Sequence, residues 1–383
     1  MRMGQGDCTV IKTPSGKVYM IDLGTSEGEP YPGDPDSIYS PQLFFETPKL
    51  FGTYKTLNGL ILTHADKDHY NGVGLLYKMG ISIDKVYHSD FFTSYNKGSS
   101  LGGSGGGESY GYIALMCKYT TGTKKGETDY TNIRGVTYTG DDKVFTTYDP
   151  DTKELVHTDI VSGNGIDQYT DARGVKIHDE GGCRIYLLVS NLLVEDPSSR
   201  ASKRQKSDEQ KNYEKRRGED FTRNMGSIVT LIEYKSRQYV ICGDAIGETA
   251  EFVMGKYADV ADVELLQAPH HGSNSHDSSS LTFVQRMNPR TLVISAMKKS
   301  RSQSLPRCET ITSFIDNAAR VTKKANNSKA DPTDYGCYFE DKTGKTDPLK
   351  RGKSKDIYYD VMTGKRAMIR ITGWHDDMLF INR

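Results

Sequence analysis

Four side chains able to bind a metal lie within six residues, in the segment His64-Ala65-Asp66-Lys67-Asp68-His69. The segment follows an apolar run of strand length, LNGLILT, at 57–63. Because alternate side chains of an extended chain point to one side, His64, Asp66 and Asp68 can converge, and a turn can add His69. Imidazole and carboxylate together suit divalent ions such as Zn²⁺, Mn²⁺ or Fe²⁺. Taken alone, the segment also fits an ordinary polar loop.

Two further groups of the same chemistry follow apolar runs later in the chain. Asp244 comes just after the strand-like run 237–242, and His270 and His271 come just after the run 263–267. A layered α/β sheet gathers its site residues at the carboxyl ends of its strands. We therefore predict that the three groups meet and bind one or two metal ions.

The order of these motifs resembles the metallo-β-lactamase superfamily. HADKDH resembles its HxHxDH signature in the HxDxDH form of ComEC-like competence proteins. Further matching segments follow the family order: Gly4-Gln5-Gly6-Asp7, Met20-Ile21-Asp22-Leu23-Gly24, Asn224 with Ser227-Ile228-Val229, Cys242-Gly243-Asp244-Ala245 and His270-His271-Gly272-Ser273. The similarity covers about 1–90 and 184–295.

The resemblance implies an α/β fold, a four-layer αββα sandwich, with two divalent ions, Zn or Mn. In that scheme His64 and Asp66 bind one ion, Asp68 and His69 bind the other, and Asp244 bridges them. Asp66 replaces the second histidine of the broad superfamily motif. The added oxygen ligand shifts the expectation toward Mn²⁺.

Other residues are assigned from the same resemblance. One of His270 and His271 completes the second site, with His270 preferred. Asp22 and Asp7 are expected behind the ligands, where they orient them. Capping a turn is an equal alternative for Asp7.

Two family positions have no clear counterpart. We find no middle histidine ligand, and we expect His88, His157 and His178 to be structural or solvated. The segment Ser304-Leu305-Pro306 stands where ComEC-like chains often carry His-Pro.

The chemistry expected of such a site is hydrolysis by an activated water. Two divalent ions about 3.5–4 Å apart lower the pKa of a water and bind the substrate oxygens. Asp68 is the catalytic candidate, because it can hold metal and accept the proton of that water. The expected substrate is a phosphodiester, with nucleic acid first. The alternatives are a small phosphodiester or cyclic nucleotide, and a metal-stabilised binding or sensor module with little turnover.

Composition narrows the classes of protein. The 383 residues carry 50 basic and 50 acidic side chains, and 36% are hydrophobic, which excludes a disordered chain. The zero net charge gives no support to extensive nucleic-acid binding. No apolar run is long enough to span a membrane. The six cysteines are scattered and form no CxxC pair, so we expect a cytoplasmic, disulfide-free protein, with its oligomeric state open.

The pattern predicts one hydrolase domain over 1–300 and a C-terminal extension over 301–383 packed on it. Strand and helix patterns alternate outside an expected insertion at about 91–180 and a charged loop at about 196–223. The basic residues of 203–217 fit either a solvated segment or a surface that follows phosphates, although acidic neighbours dilute their charge.

Overall fold

The computed structural model describes residues 6–24, 55–73, 76, 80–89, 133–138, 143–148, 155–159, 170–171, 173–192, 219–296, 305–318, 339–340 and 346–347. These residues form two seven-stranded sheets and two small two-stranded sheets. The α/β class predicted from the sequence is confirmed.

The first sheet has the strand order β1-β2-β4-β6-β7-β8-β9. Its strands are β1 (Thr9–Lys12), β2 (Val18–Ile21), β4 (Gly59–Leu62), β6 (Val86–His88), β7 (Ile133–Tyr138), β8 (Lys143–Tyr148) and β9 (Leu155–Asp159). Between β2 and β4 in the chain lies β3 (Thr56–Leu57), which pairs with β5 (Ser82–Ile83).

The centre of this sheet is parallel. β4 pairs in parallel with β2 on one side and with β6 on the other. Every residue of β2 and β4 is buried, as expected of parallel strands covered on both faces. Because parallel strands end at one edge, the residues after β2 and β4, Asp22 and Thr63, are neighbours.

The second sheet has the strand order β10-β11-β12-β13-β14-β15-β16. Its strands are β10 (Thr170–Asp171), β11 (Gly174–Glu180), β12 (Cys183–Val189), β13 (Val229–Tyr234), β14 (Arg237–Ile241), β15 (Leu265–Gln267) and β16 (Thr291–Val293). Pairing is antiparallel from β10 to β14 and parallel from β14 to β16. The parallel part therefore carries the segments after β14 and β15 to one edge.

Five helices accompany the sheets in the described residues: α1 (Lys67–Tyr70), α2 (Glu219–Met225), α3 (Gly247–Lys256), α4 (Leu281–Met287) and α5 (Cys308–Asn317). α3 contacts β12, and α4 contacts both α3 and α5. The start of α4 is capped by Ser280, whose hydroxyl accepts a hydrogen bond from the backbone N–H of Phe283 at 3.3 Å. Among these helices none is long and apolar enough to cross a membrane.

The two sheets share one buried core. Tyr19 and Ile61 from the first sheet lie in the same apolar cluster as Leu187, Leu231 and Leu266 from the second. A backbone hydrogen bond of 2.9 Å from the N–H of residue 228 to the carbonyl of residue 63 also joins the sheets beside β4 and β13. The arrangement brings the strand ends of both sheets together, while the four-layer sandwich stays a prediction.

The segment interpreted as an insertion, about 91–180, contains strands of both sheets. β7, β8 and β9 extend the first sheet, and β10 and β11 begin the second. Their sequences are rich in Thr, Tyr, Lys and Asp, so the apolar signal on which the sequence analysis relied is weak there. The domain boundaries at 300 and 301 stay predictions.

The expectation of a disulfide-free protein is wrong. Cys308, at the start of α5, is disulfide-bonded, and its partner lies outside the described residues. Cys8, Cys183 and Cys242 are free thiols. The widely separated cysteines gave no local spacing from which a bond could be predicted. The cysteines therefore no longer support the expected cytoplasmic location.

Candidate metal centre

The carboxylate of Asp244 is where the three predicted groups meet. Its Oδ1 lies 3.3 Å from Nε2 of His69 and 3.4 Å from Nε2 of His271. Its Oδ2 lies 3.8 Å from Nε2 of His64 and 4.0 Å from Nε2 of His270. Each oxygen of Asp244 therefore faces its own pair of imidazoles.

A second carboxylate lies beside each pair. Asp68 Oδ2 is 3.7 Å from Nε2 of His271, on the Oδ1 side of Asp244. Asp66 Oδ2 is 3.6 Å from Nε2 of His64, on the Oδ2 side. The donors thus form two groups that share Asp244, the arrangement expected for two ions with a bridging carboxylate.

Two glycines allow the segments to approach this closely. A Cβ on Gly24 would lie 2.2 Å from the carbonyl carbon of Asp68, so only glycine lets the chain after β2 pass beside the ligand loop. Gly243 has φ of 54°, and a Cβ there would lie 2.7 Å from the Thr63 side chain. A larger residue at either position would push Asp68 or Asp244 out of place.

Hydrogen bonds fix the ring orientation of three histidines. Asp22 Oδ2 lies 2.7 Å from both His69 Nδ1 and the Thr63 hydroxyl, so each of those groups donates to it. Since the Thr63 hydroxyl donates its proton to Asp22, its oxygen accepts a hydrogen bond of 3.1 Å from Nδ1 of His64. Nδ1 of His271 donates to the carbonyl of Ser295 at 2.8 Å.

These bonds leave the Nε2 atom of each of the three rings facing a carboxylate. Nε2 of His64, His69 and His271 and Oδ1 of Asp244 are buried and have no hydrogen-bond partner within the described part of the chain. An imidazole nitrogen that faces a buried carboxylate needs a proton or a metal cation between the two. One ligand atom from each of Asp7, His69, Asp244 and His271 lies within 4.8 Å of the others. The donor set therefore fits a divalent cation.

The pKa shifts of the same residues show that positive charge is stabilised at this site. Burial lowers the pKa of His69, but the carboxylates of Asp244 and Asp22 outweigh it and raise that pKa well above its ordinary value. Burial also lowers the pKa of His271, and Asp244, Asp7 and Asp68 together raise it. For Asp244, burial raises the pKa, and His271 and His69 bring it well below its ordinary value.

Asp66 is held by a residue that the sequence analysis did not assign. The Nε of Arg223, on α2, donates to Oδ1 of Asp66, which leaves Oδ2 toward His64. Burial raises the pKa of Asp66, but His64, 3.6 Å away, and the charge of Arg223 lower it to about 2. His64 and Arg223 together keep this carboxylate ionised, and the bond to Arg223 leaves Oδ2 toward the centre.

The structure differs from the expectation that His270 completes the second group. His271, not His270, faces Asp68 and shares Oδ1 of Asp244 with His69. Nε2 of His270 lies on the other side and 3.2 Å from the side-chain nitrogen of Asn224. The backbone is left-handed at both histidines, with φ of 52° and 53°, and the motif from which His270 was preferred carries no information on this geometry.

Asp7 lies behind the ligand histidines. Its Oδ2 is 3.9 Å from Nδ1 of both His69 and His271, and burial raises its pKa. Gln267, at the end of β15, donates to that oxygen at 2.7 Å. Its own carbonyl oxygen accepts from the backbone N–H of residues 242 and 243, at 2.9 and 3.1 Å. Gln267, missed in the sequence analysis, thus joins three segments of the centre, and no local motif marks it.

The open side of the centre is formed by the partly exposed donors. The exposed side-chain fractions of Asp66, Asp68 and His270 are 23, 17 and 16%, whereas His64, His69 and His271 are at most 1% exposed. A ligand therefore approaches over Asp66, Asp68 and His270.

The remaining histidines considered from the sequence lie apart from this group. His88 is buried, with Nδ1 3.0 Å from the carbonyl of Ser89. His178 is buried in β11, with Nδ1 3.2 Å from the Tyr19 hydroxyl. Of the two roles expected for these histidines, structural or solvated, their burial fits the structural one. For His157, in β9, the side chain lies outside what the structure describes.

Comparison with known proteins adds a short sequence match. No known family model matches the chain. Over 75 residues the chain is 32% identical to the uncharacterized protein YcaI of Escherichia coli (strain K12). That stretch is 20% of this chain, and the chain spans only 10% of the length of that relative.

Two solved structures are similar at low scores. The CmlA β-hydroxylase E377D mutant gives a TM-score of 0.33 at 11% identity, covering 72% of this chain and 36% of that chain. The short form of human tRNase Z (ELAC1) gives a TM-score of 0.34 at 13% identity, and the match covers 76% of this chain and 89% of that chain. The description of the site therefore rests on its own geometry.

Proposed function

We propose that this chain is a metal-dependent hydrolase of the metallo-β-lactamase superfamily, in its ComEC-like branch, and that it cleaves phosphodiester bonds. The observation that carries the proposal is the position of Asp244, whose two oxygens face two separate groups of imidazole and carboxylate donors. The order of the motifs in the chain supports the same superfamily.

The residues divide into two ligand groups. His64, Asp66 and Asp244 would hold one Zn or Mn ion, with His270 beside them. Asp68, His69, His271 and Asp244 would hold the other. When bound, such ions supply Lewis acidity, which polarises an ester oxygen and lowers the pKa of a water.

Asp68 is suited to receive the proton of the attacking water. Its Oδ2 lies 3.7 Å from Nε2 of His271, and its side chain is 17% exposed on the open side of the centre. A carboxylate that reaches both the ligands and the solvent can accept a proton and pass it on. Asp22, Thr63 and Asp7 keep the histidines oriented behind it.

A phosphodiester is the proposed substrate because two ions beside a shared carboxylate suit the two oxygens that change charge in an in-line displacement. Nucleic acid is the first polymer to test, and a small diester or cyclic nucleotide is the alternative. The basic segment 203–217, on which polymer binding would depend, lies outside the described residues.

The test is a hydrolysis panel with single- and double-stranded DNA, RNA, cyclic dinucleotides, a chromogenic phosphodiester and a β-lactam, each with Mn²⁺ and with Zn²⁺. We expect cleavage of a phosphodiester that is lost with a chelator and in Asp68→Ala. Asp179→Ala, which removes a surface carboxylate paired with Lys176, is the matched control and should keep activity. Turnover that survives both the chelator and Asp68→Ala contradicts the proposal. Metal binding without turnover on any substrate favours a metal-stabilised binding module.

A further inference from the structure

Arg307 carries two buried guanidinium nitrogens that no residue in the described part of the chain neutralises. Its Nε and Nη1 atoms are buried and have no hydrogen-bond partner among the residues that the structure describes. By contrast, Arg184, Arg223, Arg237 and Arg290 each pair with a carboxylate. A guanidinium stays protonated at any working pH, so its charge must be balanced by something else.

The backbone of Arg307 is fixed against the metal centre. Its N–H donates to the carbonyl of Gly272 at 2.9 Å, and Gly272 directly follows the ligand His271. Contact between these segments is close, because a Cβ on Gly272 would lie 2.8 Å from Cβ of Pro306. Arg307 is thus one backbone hydrogen bond away from the loop that carries the ligands.

The charge of the centre explains what this arginine would be for. Five carboxylates lie in or directly behind the centre: Asp7, Asp22, Asp66, Asp68 and Asp244. An anionic substrate that approaches them is repelled unless cations compensate. Arg307, whose backbone is bonded to the loop of His270 and His271, carries positive charge together with a planar set of donors that matches phosphate oxygens.

We propose that Arg307 binds a phosphate oxygen of the substrate beside the metal centre. This inference rests on the proposed function for the identity of the anion, and it assigns a substrate-binding residue to the phosphodiester. No described residue compensates the charge of Arg307 in the free protein, and the substrate phosphate completes its hydrogen bonds.

The test uses inorganic phosphate as the probe and the full chain as the protein. Phosphate binding is measured by calorimetry and by the shift in Tm, with ions bound and again with a chelator. We expect wild type to bind phosphate in both conditions. Arg307→Gln should bind it about tenfold or more weakly, as expected for loss of a charged hydrogen bond. Arg307→Lys should have an intermediate affinity for phosphate, since it keeps the charge but loses the planar set of N–H donors. The control is Arg290→Gln, which removes a guanidinium lying 3.7 Å from Glu264 and should bind like wild type.

A second readout separates binding from a structural role. Removing an uncompensated buried charge should leave the Tm of the phosphate-free protein unchanged or raise it, whereas losing a structural arginine would lower it. The proposal is overturned if wild type binds no phosphate, if Arg307→Gln binds it as tightly as wild type, or if Arg307→Gln lowers the phosphate-free Tm.

The failure of this inference is distinguishable from failure of the proposed function. If no phosphodiester is cleaved but phosphate binding depends on Arg307, the hydrolase proposal fails and the anion site stands. If a phosphodiester is cleaved and Arg307→Gln changes neither its KM nor phosphate binding, the anion site alone fails.

Discussion

The Nδ1 atom of His69 lies 2.7 Å from Oδ2 of Asp22, and both side chains are at most 1% exposed. Because an ionised carboxylate only accepts hydrogen bonds, His69 donates from Nδ1 and turns Nε2 toward Asp244 at 3.3 Å. Asp22 also accepts from the backbone N–H and the hydroxyl of Thr63, and that hydroxyl orients His64. One carboxylate behind the centre therefore sets the orientation of two ligand histidines.

We predict that Asp22→Asn weakens metal binding about 10–100-fold, because the amide cannot accept from both His69 and Thr63 in the same way. Calorimetric titration of chelated protein with Mn²⁺ or Zn²⁺ measures the change. The matched control is Asp84→Asn. The Asp84 carboxylate accepts a hydrogen bond of 2.9 Å from the side chain of Asn58 and is not one of the candidate ligands. Equal metal affinity in Asp22→Asn and wild type would show that Asp22 does not orient the ligands.

We predict that Gln267→Leu destabilises the fold by about 1–3 kcal/mol, because two buried backbone N–H groups and Asp7 lose their partner together. Urea unfolding of the metal-free protein gives the free energy, and a metal titration of the same variant should show weaker binding. Gln238→Leu removes a glutamine whose side chain bonds to an exposed carbonyl at 3.2 Å, and it should change both quantities much less. Similar losses in the two variants would argue against a special role for Gln267.

The proximity of Asp66 to His64 and to Arg223 predicts a pH dependence in the metal-free protein. Since the pKa of Asp66 is lowered to about 2 in the folded state, from about 3.8 in the unfolded chain, the carboxylate stabilises the fold at higher pH. This contribution is present above about pH 4 and is lost as the pH falls toward 2. The difference in unfolding free energy between wild type and Asp66→Asn should therefore shrink between pH 5 and pH 3, as read by urea unfolding with a chelator present. A difference that stays constant over that range would contradict the assigned shift.

The disulfide of Cys308 predicts a simple count of thiols. Alkylation of the unfolded, unreduced protein should add two fewer groups per chain than alkylation after reduction, as read by intact mass. In the native protein, Cys8 and Cys183 should react slowly, because burial raises the pKa of their thiols to about 12 and about 11. The same number of alkyl groups before and after reduction would contradict the disulfide.

The sequence predicted which candidate ligands lie together because its signals are local. Apolar runs predicted β2, β4, β14 and β15, and polar groups such as Asp244 lie directly after them. The parallel pairing of β4 with β2 and of β15 with β14 then places those groups at the ends of neighbouring strands. Chain order and the carboxyl-end rule were enough to bring His64 and Asp244 together.

The remaining features depend on geometry that no local pattern carries. The roles of His270 and His271 follow from their left-handed backbone, which two adjacent histidines do not reveal. Gln267 and Arg307 are identified by hydrogen bonds made or missing across the fold, and neither belongs to a spacing motif. The strands at 133–159 carry too little apolar alternation to be distinguished from loops.

Anomalous X-ray scattering from Mn²⁺-soaked crystals tests most directly the claim that Asp244 joins two metal groups. We expect two peaks, one among His64, Asp66 and Asp244 and the other among Asp68, His69, His271 and Asp244. A single peak, or peaks that do not contact Asp244, would contradict the account.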